Sequence, residues 1–447
     1  MDDVSGSFTQ DLPSSWQIEE ASAQPVEPLA DVCAAVKAQL AAPTAALPLT
    51  DLCGPGTTVT LVCDAPPNNG TRAMLLRSVL SQLEFAGVDP DKITLLIAAQ
   101  AEDIARDNIT LFDSIYSSRV RVVRHDPDDL RDLDDLGNFE GVPLTVNYRA
   151  AEANLLIAMS VMRLDDDAFD AGSTGTITSG LMSTATTREL HTTRFLDDQT
   201  EPAIYTRPLF ERVVREGARR AGLVFAVDAI DDAQGYALAV RAGAPNAVND
   251  ALTQDIMMMR EAGVASTSYD VVVVDTSRHA HRGLFNAARA AINVGLARNP
   301  VLMRGGSMIL PTIANSDLGS DDYEDYDNDE ERAFYDALTN ASSPDLVIQQ
   351  LRGRSLRPGE ERAYLLAHVM QRHHIIAAGP HHEQQARTSH FLSSPNVQDA
   401  AELAESFTGS HPRALIVRNA QHSVPAFTGL SWDSSDPFED ALIELTS

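Results

Sequence analysis

Short apolar runs ending in turn residues alternate with longer amphipathic stretches along most of this chain, and that alternation restricts the fold more than any other feature. VTLVCD at 59–64 is followed by TRAMLLRSVLSQLEFAG at 71–87 and KITLLIAA at 92–99, which read as strand, helix and strand. RVRVV at 119–123, VPLTVN at 142–147, ANLLIAMS at 153–160 and LVFAVDAI at 223–230 read as further strands, with a helix at 209–222. Strands joined through helices pair in parallel and need helices on both faces, so the pattern predicts a mostly parallel sheet flanked by helices.

A second unit starts near Ser268, where YDVVVVD at 269–275 carries four consecutive valines, the signature of a strand buried on both faces. A helix at 284–297, a Gly-Gly turn into SMILPT at 307–312, a helix at 360–371 and strands at 373–379 and 413–418 complete it. The expected architecture is α/β with two domains, each a mostly parallel sheet flanked by helices, and an interdomain cleft. Its parts are an N-terminal arm over 1–50 with a short helix at 29–40, domains over 51–265 and 266–428, and a tail over 429–447. Ligands of such sheets gather at the carboxyl ends of strands and between domains, so the loops after strands are where chemistry is expected.

The charge balance narrows the classes of ligand. Against 34 Lys and Arg stand 64 Asp and Glu, a net charge of -30 over 447 residues that repels phosphate backbones and anionic membranes. The expected partner is a small molecule, with no nucleic acid and no membrane, and the chain is expected to be a monomer or homodimer. Such acidity suits a salt-adapted cytoplasm and an ordinary acidic protein equally. No apolar run is long enough to span a bilayer and the first residues lack signal-peptide character, so a cytoplasmic location is expected. Cys33, Cys53 and Cys63 have neither disulfide-framework nor zinc spacing and read as ordinary thiols. The run at 321–331, with eight carboxylates in eleven positions, is a solvated loop or a cation site.

Four loops carry candidate groups. DAPPNNGTR at 64–72 leaves a strand for a helix, so it is a plain connector or an anion receiver using backbone N–H groups near Thr71 and Arg72. AAQAEDIAR at 98–106 puts Glu102 and Asp103 at a strand end, as helix caps or as acids with a chemical role. The Ser-, Thr- and Gly-rich segment 164–191 reads as one long loop in which Gly172, Ser173, Thr174 and Gly175 can cradle a phosphate, although no P-loop lysine follows. His191 closes it as ligand, base or structural residue. At 275–289, Arg278, Arg282 and Arg289 bring scarce positive charge that suits a carboxylate, and His279 and His281 sit at metal-compatible spacing without a third ligand. The pairs His373–His374 and His381–His382 flank a strand and read as strand-edge residues.

These loops, in this order, resemble the nickel-dependent lactate racemase family from about Val59 to Pro425. The segment HDPDDLRDLDDLGNFEGVPLTVNYRAAEANLLIA at 125–158 carries its G-x-x-x-G-x-P turn, and YDVVVVD, LFNAAR, GGSMILP, GEERAYLLAHVMQRHHIIAAGP and NAQHSVP extend the likeness through the second unit. The resemblance implies a nickel-pincer nucleotide tethered to a lysine, nickel held by the pincer and one histidine, and two further histidines that exchange the hydroxyl proton while the pincer carbon takes and returns hydride. This chain departs from that set. The D-x-T-R-P-x-P loop becomes residues 64–70 without its arginine, so Arg72 stands in only from another position. T-G-x-H-R becomes residues 99–103 with Glu102 at the histidine, the second histidine falls near Asp165, and the lysine falls near Gly175 in a stretch with no lysine. His191 matches the nickel-ligand histidine, and Y-Q-x-x-K becomes 285–289, with Asn286 and Arg289 keeping the amide and cation types for substrate binding.

The expected function is therefore that of a lactate-racemase-like protein binding a small hydroxy acid or related ligand in the cleft, with no covalent cofactor. One alternative is an active 2-hydroxy-acid racemase or epimerase, an isomerase using Glu102 and Asp165 as acid/base pair with a nickel-pincer nucleotide held non-covalently on His191. Another is a structural partner of an active racemase.

Overall fold

Sixteen strands are described in the computed structural model, and most fall where apolar runs place them. The structure describes residues 8–67, 70–98, 120–164, 172–197, 208–264, 268–275, 283–297, 300–311, 329–379 and 383–427. In chain order the strands are β1 Gln17–Ala21, β2 Val59–Cys63, β3 Ile93–Ile97, β4 Arg121–Arg124, β5 Leu133–Phe139, β6 Val142–Asn147, β7 Leu155–Arg163 and β8 Leu223–Asp231. They continue as β9 Ala237–Gly243, β10 Glu261–Val264, β11 Tyr269–Val274, β12 Leu302–Pro311, β13 His374–Ala378, β14 Leu392–Ser394, β15 Arg413–Val417 and β16 Val424–Phe427.

Two six-stranded sheets form the frame. The first has the order β4-β3-β2-β7-β8-β9 and is parallel except for β9, which runs antiparallel to β8. The second has the order β1-β15-β11-β12-β13-β14 and is parallel throughout. Helices cover both faces of each, which is why the central strands are apolar without alternation. In the first sheet Leu61, Leu95 and Ile157 pack against Leu75, Leu76 and Val79 of the helix Gly70–Phe85. Their neighbours Val62, Leu96 and Ala158 face Ile177 and Val213 on the other side. The valines of β11 divide the same way: Val272 and Val274 join one core of the second sheet, Val271 and Val273 the other. Truncating any one of these leucines to alanine would cost about 2–5 kcal/mol.

Three sequence expectations are corrected. VPLTVN is a strand, but it pairs antiparallel with β5 in a separate hairpin rather than entering the main sheet. The left-handed pair Glu140 (φ 50°) and Gly141 (φ 81°) makes the tight turn that joins the two. The segment read as one loop over 164–191 contains the helices Gly172–Thr178 and Thr184–Leu190, the second capped by Ser183 accepting from the Thr186 N–H. The residues read as an arm supply β1, an edge strand of the second sheet, while the helix Val32–Ala41 buries Val36 and Leu40 against the first. QIEEA lacks an apolar alternation, so nothing in it announces a strand; pairing with β15 creates it. No helix among the described residues is long and apolar enough to cross a membrane.

Candidate functional site

The carboxyl ends of β2, β7 and β8 carry a group of polar side chains that an apolar sheet does not need for folding. Asp64 follows β2 directly, and Arg72, on the first turn of the next helix, grips it with Nε to Oδ1 and Nη2 to Oδ2, both at 2.8 Å. The same carboxylate accepts from the Val161 N–H at 3.0 Å, and Arg72 Nη2 also donates to the Val161 carbonyl at 3.1 Å. Burial works against charge on Arg72, but the bonds and attraction from Asp64 more than offset it and hold the guanidinium charged. Arg72 is about a third exposed (34%) and makes no hydrogen bond through Nη1 to any described residue. Arg72, two residues beyond the 64–70 loop, thus reaches back to the aspartate that opens it.

One strand further along the sheet, Asp228 of β8 lies wholly buried. It accepts from the Ser160 N–H at 3.1 Å, from the Ser173 N–H at 3.0 Å and, closer still, from the Ser173 hydroxyl. Burial pushes its carboxyl up to about 7; the Ser173 bonds oppose that rise, and the nearby Asp64 charge adds to it. Next to it Thr71 Oγ1 donates to Asp231 at 2.8 Å, and burial raises that carboxyl as well. Gly172, at φ +53°, lets the chain pass over Asp228, because a Cβ there would lie 2.7 Å from Asp228 Oδ2.

On the sequence alone Gly172, Ser173, Thr174 and Gly175 can cradle a phosphate with backbone N–H groups and hydroxyls. They are instead buried residues of a short helix, and the N–H and hydroxyl of Ser173 are both taken by Asp228. Sequence reasoning missed Asp228, although an acid inside the apolar run LVFAVDAI was a signal, since a carboxylate is costly to bury without donors.

His191 caps the C-terminal end of the helix Thr184–Leu190, and its side chain is about half exposed. Nδ1 meets Glu361 Oε1 of the helix Glu360–Met370 at 2.8 Å, and its carbonyl accepts from the Leu356 N–H at 2.8 Å. A carboxylate on one ring nitrogen fixes the imidazole and leaves the other nitrogen to face a ligand or a metal. Glu361 was also missed, because a helical Glu in GEER reads as ordinary first-turn charge. Its neighbour Arg362, buried, stacks over the Phe285 ring at 3.8 Å and donates to the Phe285 carbonyl at 3.4 Å. Two consecutive residues of one helix therefore tie His191 to the start of the helix Leu284–Gly295, on which Asn286 and Arg289 share a half-buried face one turn apart.

Glu102, Asp165, Arg278, His279, His281, Arg282, His381 and His382 lie outside the described residues. His373 immediately precedes β13 and His374 is its first residue, so both stand at the amino end of the strand, opposite the carboxyl ends where ligands of such sheets gather.

The residues present do not fit a lysine-tethered group. The chain has only two lysines, Lys37 and Lys92. Lys92 immediately precedes β3, at the amino end of the first sheet, with Nζ 3.4 Å from the Pro55 and Gly56 carbonyls. Lys37 is exposed on the helix Val32–Ala41.

Residues 5–202 match the family described as the lactate racemase N-terminal domain. No curated protein shows significant similarity to the chain. Among solved structures, the lactate racemase apoprotein from Thermoanaerobacterium thermosaccharolyticum superposes with a TM-score of 0.70 at 17% identity, covering 93% of this chain and 96% of its own. A protein from Thermotoga maritima superposes with a TM-score of 0.53 at 11% identity over 91% of this chain and 100% of its own. The fold is that of lactate racemase.

Proposed function

We propose, for a chain whose residues 5–202 match the lactate racemase N-terminal domain and whose fold is that of lactate racemase, that it binds a small 2-hydroxy acid without a covalently tethered nickel-pincer cofactor. The observation that carries the reading is Arg72: a guanidinium fixed by Asp64 at the carboxyl end of a central strand, with Nη1 uncommitted among the described residues. An arginine held in that way is pre-organised for a carboxylate, because its orientation is set before the ligand arrives. His191, steadied by Glu361, is the residue this reading assigns to the ligand hydroxyl.

No step is assigned to a tethered cofactor, since neither lysine stands at the site. The reading is tested by titrating L- and D-lactate into the full chain by calorimetry, beside the Arg72→Ala variant. It predicts saturable binding of at least one enantiomer, weakened about tenfold or more by the variant, as expected for the loss of a charge-assisted pair of about 1.5–3 kcal/mol. Absence of binding to wild-type protein, or equal binding by the variant, counts against it.

A further inference from the structure

The helix Glu360–Met370 starts beside His191 and ends on the far side of the second sheet, at the amino ends of β12 and β13. A cavity of about 700 Å³ lies there, with Arg304, Arg372, His373, Gln371 and Asp345 among its lining residues. That volume is within the roughly 300–1,000 Å³ of ordinary small-molecule sites. A neighbouring cavity of about 450 Å³ shares Asp345 and Gln371 as a common wall and is lined also by Arg352 and His368. Across that wall Gln371 Nε2 donates to the Asp345 carboxylate.

In a chain with a net charge of -30, the charged side chains that line the larger cavity among the described residues are two arginines and one aspartate, and the aspartate is engaged by Gln371. Both guanidiniums lie close enough to His373 to disfavour its charge. Burial acts first and most strongly on that ring, the Met303 backbone opposes it, and the ring is pushed down to about 4, so it is neutral at physiological pH. His373 is 7% exposed, and its Nδ1 is buried with no hydrogen-bond partner among the described residues. A neutral imidazole with an unsatisfied nitrogen is an acceptor in want of a donor, and such groups in folded proteins are normally met by water or ligand.

We propose that this cavity is a second binding site, for a small phosphate-bearing molecule that also carries hydroxyl groups. The phosphate is recognised by Arg304 and Arg372, whose forked donors suit its oxygens, and a hydroxyl, directly or through a water, satisfies His373. The site lies at the amino ends of β12 and β13 in the second sheet, whereas the Arg72–Asp64 pair lies at the carboxyl end of β2 in the first, and it does not depend on the hydroxy-acid reading.

The test titrates ribose 5-phosphate, ribose and inorganic phosphate into the full chain by calorimetry, with an Arg304→Ala/Arg372→Ala variant and with Arg72→Ala. Arg304 is exposed and Arg372 half-buried, so a thermal melt close to wild type is expected of the double variant. The expected result is one saturable site for ribose 5-phosphate, weaker binding of inorganic phosphate and no binding of ribose. Affinity for ribose 5-phosphate should fall at least tenfold in the double variant and stay unchanged in Arg72→Ala. No binding of either phosphate at millimolar concentration, or an affinity indifferent to the double variant, would overturn the proposal. Loss on Arg72→Ala would also overturn it, by moving the phosphate to the other site.

Discussion

Arg72 reaches back eight residues to hold both oxygens of Asp64 at 2.8 Å, from the first turn of the helix that follows β2. The pair also braces β7 through the Val161 N–H and carbonyl, so it joins two strands at the end of the sheet where ligands gather. Replacing Arg72 with Lys keeps a charge and loses the fork. Arg72→Lys should therefore retain the melting temperature of wild type more closely than Arg72→Ala does, yet bind lactate almost as poorly. Equal lactate binding by Arg72→Lys and wild type would show that charge alone suffices.

Gly172→Ala should destabilise the protein by about 1–3 kcal/mol, since the added Cβ would meet Asp228 Oδ2 at 2.7 Å from a left-handed backbone. Urea denaturation reads this directly. A variant as stable as wild type would mean that the helix Gly172–Thr178 is not seated on Asp228.

Asp228 should impose a pH dependence of definite sign. Its folded-state carboxyl titrates near 7, well above the roughly 4 of an unfolded chain, so between these values the native state binds the extra proton. Stability must then fall as pH rises from about 4 to about 7, because ionising the buried acid penalises only the folded form. Comparing urea midpoints at pH 5 and pH 8, the Asp228→Asn variant should lose much of that decline. The difference in slope is the readout, since asparagine also removes one acceptor from the Ser173 and Ser160 N–H groups and shifts absolute stability. A decline of the same size in variant and wild type would contradict the assignment.

His191 should carry its proton on Nδ1 when neutral, because Glu361 is the acceptor there. Nitrogen-15 NMR of the labelled imidazole distinguishes the two tautomers. Glu361→Gln should shift the population toward the other one; an Nε2-protonated ring in wild-type protein would mean that Glu361 does not orient it.

The parts of the fold legible in the sequence are those where burial on both faces leaves an uninterrupted apolar run, as in β2, β7 and the four valines of β11. β1 was illegible because QIEEA is a polar edge strand that exists only through its pairing with β15. The helix Gly172–Thr178 was illegible because Gly, Ser and Thr are poor helix formers; burial between β7, β8 and the helix Pro208–Arg220 overrides that propensity, with Gly217 letting Thr178 close in. At the site, Arg72 and His191 could be named from their loops. Their partnerships could not, because Asp228 is 55 residues from Ser173 and Glu361 is 170 residues from His191, and only the folded sheets bring them together.

The most direct test of the central claim is the intact mass and nickel content of the protein produced together with enzymes that make the pincer nucleotide. With Lys37 and Lys92 as the only lysines, and Lys92 at the end of the first sheet away from the site, the account predicts an unmodified mass and no stoichiometric nickel. A covalent adduct with one nickel per chain would contradict it.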